Sequence, residues 1–136
     1  MTATTVDRAT QRRDSVQFSF PVAAATKIPA GVITCLNASG LAVNGATSTT
    51  LKCVGVSESL ADNSGGSASA IQVEVRRGCH KFANSASGDL IALADVGSNC
   101  FIVDNQTVAK TNGSNTRSIA GVIRDVDADG GVWVDF

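Results

Sequence analysis

Residues 15–22 alternate, with Val16, Phe18, Phe20 and Val22 on one parity and Gln17 and Ser19 on the other. A period of two sends successive side chains to opposite faces of a pleated strand, so this run predicts a β-strand with one apolar face. Pro21 cannot donate to a ladder and so weakens the end of the run or places it at a sheet edge. A second apolar run covers 31–36 and turns through Asn37-Ala-Ser-Gly40 into 41–43, where Asn44-Gly45 is a further turn signal. In 51–57 the apolar parity shifts from Leu51 and Cys53 to Val54 and Val56. Residues 60–68 read as a polar loop. The segment 70–82 is the longest strand-like stretch, with Ile71, Val73 and Val75 alternating against Gln72, Glu74 and Arg76. Gly78 within it marks a bulge or a close backbone approach.

Short strands are predicted at 90–93, 100–103 and 107–109, followed by a polar, Gly-containing loop at 112–115. The clearest hairpin pairs 119–126 with 132–136 across Asp127-Ala-Asp-Gly-Gly131. In it Val132, Val134 and Phe136 share one face, opposed by Trp133 and Asp135. No helical period of 3.6 residues competes with this pattern. Short strands at such regular spacing predict an all-β, single-domain antiparallel sandwich or jelly-roll-like barrel. Residues 1–14 are polar and charged, so they form an extended N-terminal arm, and 15–136 form the β-domain.

Composition sharpens this reading. Valine occurs sixteen times and leucine six times, which favours pleated surfaces over amphipathic helices. The 136 residues, 43% hydrophobic and 17% charged, suffice for one buried core and are too apolar for wholesale disorder. A net charge of -1 supplies no basic excess for phosphates, so no nucleic acid is expected as a partner. No apolar run is long enough to span a bilayer and no secretory leader is recognisable, so the expectation is folding in a bacterial cytoplasm, away from membranes, with reduced cysteines.

Candidate chemistry changes the picture little. Asp125-Val-Asp-Ala-Asp-Gly130 begins like a calcium loop, but the position of the bidentate acid is Phe136, and Asp-Gly is itself a hairpin signal. Cys35, Cys53, Cys79 and Cys100 lack the paired spacing of a zinc site and read as small buried hydrophobes in strands, with a disulfide left open if the protein works outside the cell. Cys79 and His80 are strand neighbours, point to opposite faces, and do not make a nucleophile pair. His80 itself reads as a surface or loop-proximal residue. Arg76, Arg77, His80 and Lys81 form a basic cluster that reads as salt-bridged or partner-facing. Asn37, Asn105 and Asn112 begin formal glycosylation triplets that read as turns. The expectations are therefore no enzyme, no catalytic residues, no metal and no cofactor.

Several stretches carry a resemblance. They are Val16-Gln-Phe-Ser-Phe-Pro-Val-Ala-Ala-Ala25 with Ile28-Pro-Ala-Gly-Val32, then Val54-Gly-Val-Ser-Glu58 before Asp62-Asn-Ser-Gly-Gly66. Val73-Glu-Val-Arg-Arg-Gly78 with Phe82-Ala-Asn84, and Ala120-Gly-Val-Ile-Arg-Asp125 closing on Val132-Trp-Val134, complete the set. The chain resembles the decoration, or cement, proteins of tailed-bacteriophage heads over most of 15–136. The resemblance implies a virion protein on the outer capsid surface that self-associates as a dimer or trimer, binds the phage major capsid protein, and stabilises the shell by bridging its subunits. It carries no active-site residues. On that reading the arm through Val16 is the contact segment, with Arg8, Arg12 and Arg13 facing carboxylates. The alternatives are a tail or head-completion subunit, and a carbohydrate-binding module using Trp133.

Overall fold

The computed structural model describes residues 2–136. The chain runs through β1 (Gln17–Pro21), β2 (Thr26–Ile28), β3 (Ile33–Leu36), β4 (Ala42–Asn44), β5 (Lys52–Ser57) and β6 (Ala61–Asn63). It continues through β7 (Gln72–Arg76), β8 (Cys79–Asn84), β9 (Asn99–Ile102), β10 (Thr107–Ala109), β11 (Ile119–Val126) and β12 (Val132–Asp135). Two single turns of 3-10 helix, Ser87–Asp89 and Leu93–Asp95, lie between β8 and β9. Among the described residues no helix is long and apolar enough to cross a membrane.

The strands form an antiparallel five-stranded sheet in the order β1-β7-β5-β3-β4, a closed barrel in the order β10-β8-β12-β11-β9, and a ribbon of β2 and β6. The all-β, antiparallel class expected from the sequence is the class observed. Within the barrel only β8 and β10 run parallel.

The sheet has two apolar faces, and each covers a core. Ile33, Cys35 and Val56 face the barrel and join Phe82, Ile91, Cys100, Ile102, Val108, Ile123, Val132 and Val134. Val22, Ile28, Ala42, Ala61, Val73 and Val75 form the second core, which takes in residues of the β2–β6 ribbon. Full burial of a Val or Ile contributes about 1.5–3 kcal/mol, so the barrel-side cluster is the larger source of stability. The parity shift in β5 has a visible cause. Thr34 opposes Gly55 and Cys35 opposes Cys53, which leaves Val54 as the extra residue of a β-bulge. Cys53 and Val56 accordingly pack against one core and Val54 against the other.

Three segments depart from the sequence reading. The stretch 70–82 is two strands in two different sheets. At Gly78, with φ of 137°, the chain leaves the open sheet and enters the barrel, a backbone conformation that disfavours any side chain. Residues 61–63, read as loop, form β6. Asn63 is buried there and donates to the Ala23 and Ser67 carbonyls, both at 2.9 Å. Residues 90–93, read as a strand, pair with no strand. The Asn84 side chain instead stands in for a partner, donating to the Ile91 carbonyl at 2.9 Å and accepting the Ile91 N–H at 3.0 Å. That clamp buries Ile91 while Leu90 and Leu93 stay exposed.

Candidate docking surface

The arm enters the fold at β1. Residues 2–14 are exposed and carry no strand or helix. Their internal bonds are local, such as the Thr10 N–H to the Arg8 carbonyl at 3.0 Å. The first anchors lie at the root. The Arg13 guanidinium sits 4.3 Å above the Phe18 ring, and Phe18 stacks on Phe20 with centroids 6.3 Å apart. The Val16 carbonyl accepts the Arg77 N–H at 2.7 Å, while the Val16 side chain stays 44% exposed. Among the described residues, none of Arg8, Arg12 and Arg13 is engaged in an ion pair.

Beside this root runs a shallow apolar groove. Phe18, Phe20, Cys53, Val54, Arg77 and Phe136 line a hollow of about 270 Å³. Arg77 and Phe136 also wall a second hollow of about 230 Å³ that reaches Ser15, Val16, Gly78 and Asp135. The groove therefore follows the seam between the open sheet and the barrel and ends where the arm begins. Four sequence-predicted contact residues separate here: Arg13 and Val16 are brought to the groove, and Arg8 and Arg12 extend away from the core.

The basic cluster is largely neutralised within the fold. Arg76 pairs with Glu58, and Arg77 Nε donates to the Phe136 carbonyl at 3.3 Å. Lys81 Nζ lies 2.8 Å from Asp127 and 2.7 Å from Asp129. Its ammonium holds both carboxyls below the usual aspartate range, Trp133 adding a hydrogen bond to Asp127. The loop that begins like a calcium site thus already has its cation. Among the described residues no group of three or more His, Cys, Asp or Glu gathers.

Cys79 and His80 lie on opposite faces of β8. Cys79 is exposed, which corrects its reading as a buried thiol, and its pKa is raised, by desolvation first and by Asp135 next. Cys53 is half-buried, and only Cys35 and Cys100 are fully buried. His80 is not a surface residue of the ordinary kind. Its ring lies 6.1 Å from that of Phe136, and its buried Nε2 has no hydrogen-bond partner. Burial pushes its pKa below the usual histidine value. Lying on opposite faces, the two side chains do not form a nucleophile–base pair. Trp133 stands on the outer barrel face between its register partners Lys81 and Asp125.

Reading by alternation missed an exposed apolar row at Leu90, Leu93 and Val96, which are 49%, 65% and 44% exposed. The two single 3-10 turns that carry or precede them, Ser87–Asp89 and Leu93–Asp95, are too short to leave a period in the sequence. Asn37 caps its own turn, its Oδ1 accepting from the Ser39 and Leu41 N–H groups. Comparison with known proteins finds no family model, no curated protein and no solved structure that matches the chain.

Proposed function

We propose that this protein is a structural virion component that docks on the outer face of an assembled phage shell and bridges neighbouring major capsid subunits. The observation that supports the reading most is the arm: a polar, charged segment with exposed Arg8 and Arg12, standing away from a well-packed β core and rooted beside an apolar groove. A segment of that kind orders on a partner, adding charge-assisted contacts to a groove that supplies apolar ones. A ligand that binds an assembled lattice and not its free subunits stabilises the lattice by mass action. Many modest contacts then add through multivalency. The sequence resemblance to decoration proteins points the same way.

Sedimentation with phage shells stripped of decoration tests this directly. The proposal expects saturable binding at many copies per shell and none to free capsid subunits. A few copies per particle would favour a tail or head-completion subunit. No binding to shells, together with glycan binding that is lost in Trp133→Ala, would replace the proposal with a carbohydrate-binding role.

A further inference from the structure

Cys35 and Cys53 face each other directly across β3 and β5. Opposed residues of an antiparallel pair have Cα separations of about 4.5 or 5.5 Å, both inside the range a disulfide spans. Both side chains belong to the barrel-side face of the sheet, Cys35 fully buried and Cys53 packed against the same core from the groove. The ionisation of each thiol depends on that of the other. Access is one-sided: a reagent in the groove meets Cys53, with Cys35 directly behind it.

We propose that Cys35 and Cys53 form an oxidisable dithiol that small disulfides convert to a cross-strand disulfide, with Cys53 as the attacking thiol and Cys35 as the resolving one. The Cys53 thiolate attacks one sulfur of a small disulfide, R–S–S–R, whose S–S bond breaks and releases one thiolate, leaving a mixed disulfide on Cys53. The Cys35 thiol then gives up its proton, and its sulfur attacks Cys53 Sγ and displaces the second thiolate. Two protein thiols are oxidised, and the small disulfide is reduced to two small thiols, which take up the two protons. Local electrostatics favours this order. The Cys53 pKa is lowered, first by the hydrogen bond with Cys35, then by the Gly55 backbone and the Arg77 charge, against the effect of burial. The other two cysteines are placed differently. Cys100 donates to the Gly121 carbonyl at 3.6 Å, with its pKa pushed up to about 11 by burial, and Cys79 lies exposed on the barrel. The new bond ties the two strands together at the bulge and removes the one free thiol in the groove wall. This inference stands independently of shell binding.

Trypsin places the four cysteines in four different peptides, 28–52, 53–76, 78–81 and 82–110. The test uses the full chain carrying Cys79→Ser, folded, exposed to oxidised glutathione and then mapped without reduction. The expected result is a loss of the mass of two hydrogens, a cross-linked pair of peptides 28–52 and 53–76, and free Cys100. Adding Cys35→Ser should stop the reaction at a glutathione adduct on Cys53, and adding Cys53→Ser should leave Cys35 unmodified. Two outcomes would overturn the proposal. One is a stable adduct on Cys53 while Cys35 is present. The other is no reaction at Cys53 in a chain whose four-peptide map shows it reduced and whose circular dichroism shows it folded.

Discussion

The barrel and the open sheet are built from similar strands and end differently. The barrel closes on itself, so every strand of it has two neighbours and no backbone edge faces outward. The sheet has β1 at one end and β4 at the other, and these meet only through a single bridge between Val22, just past β1, and Ala42. An edge of that kind is a place where another chain can add. The arm leads into β1 at that edge, and the half-buried Phe18 and Phe20 of β1 form part of the groove wall. The closed unit holds the largest set of fully buried side chains, and the unfinished one carries the features suited to a partner.

The contrast can be broken by mutation, most strongly in the barrel core. Ile123→Ala should lower the unfolding free energy by about 3 kcal/mol in urea titration, because a fully buried side chain leaves a cavity that the closed barrel cannot collapse. Phe18→Ala, at the open edge, should cost about 1 kcal/mol, since that ring is only partly buried. Equal costs would show that the edge is as much a part of the core as the barrel. Between these two lies Asn84→Ala, which removes both hydrogen bonds to Ile91 and should cost about 2 kcal/mol. It should also speed amide exchange at Ile91 while leaving the β11–β12 hairpin unaffected.

Acid should separate the two kinds of titrating group. Burial pushes the His80 pKa below 6.5, so the unfolded chain takes up a proton at a pH where the folded chain still resists it. Stability should therefore begin to fall as pH drops below about 6.5 and level off once the folded imidazole also titrates. His80→Gln should flatten that phase; its persistence would assign it to another group. Asp89, Asp127 and Asp129 have pKa values below 3.8, so the stability they contribute is present above that pH and is lost as pH falls further. The smallest expected effect is that of calcium on the hairpin. Its addition should leave the thermal midpoint unchanged, because Lys81 already occupies Asp127 and Asp129.

Legibility in the sequence followed the same division. In the hairpin of β11 and β12, Val132, Val134 and Phe136 alternate with Trp133 and Asp135 after an Asp-Gly turn, so period and turn chemistry agree there, and the bounds of β11 match. The bulge at Val54 was visible as a parity shift. What escaped detection was set by distant contacts. Nothing in Val73-Glu-Val-Arg-Arg-Gly78 says that the strand after Gly78 joins another sheet. The three residues of β6 are too few for a period, and β6 exists because β2 and the buried Asn63 complete its bonding. Leu90 and Leu93 look like strand residues until Asn84 captures Ile91. At the candidate surface, residues 1–14 were singled out by their polar composition. The groove was not, because it joins residues from β1, β5, the β7–β8 turn and the chain's last residue.

The most direct test of the central claim, that contacts are made by the arm and not by the barrel, is to delete residues 1–14 and measure both stability and occupancy on stripped shells. The account predicts an unfolding midpoint within error of the full chain and a large drop in copies bound. Full occupancy by the truncated chain would contradict it.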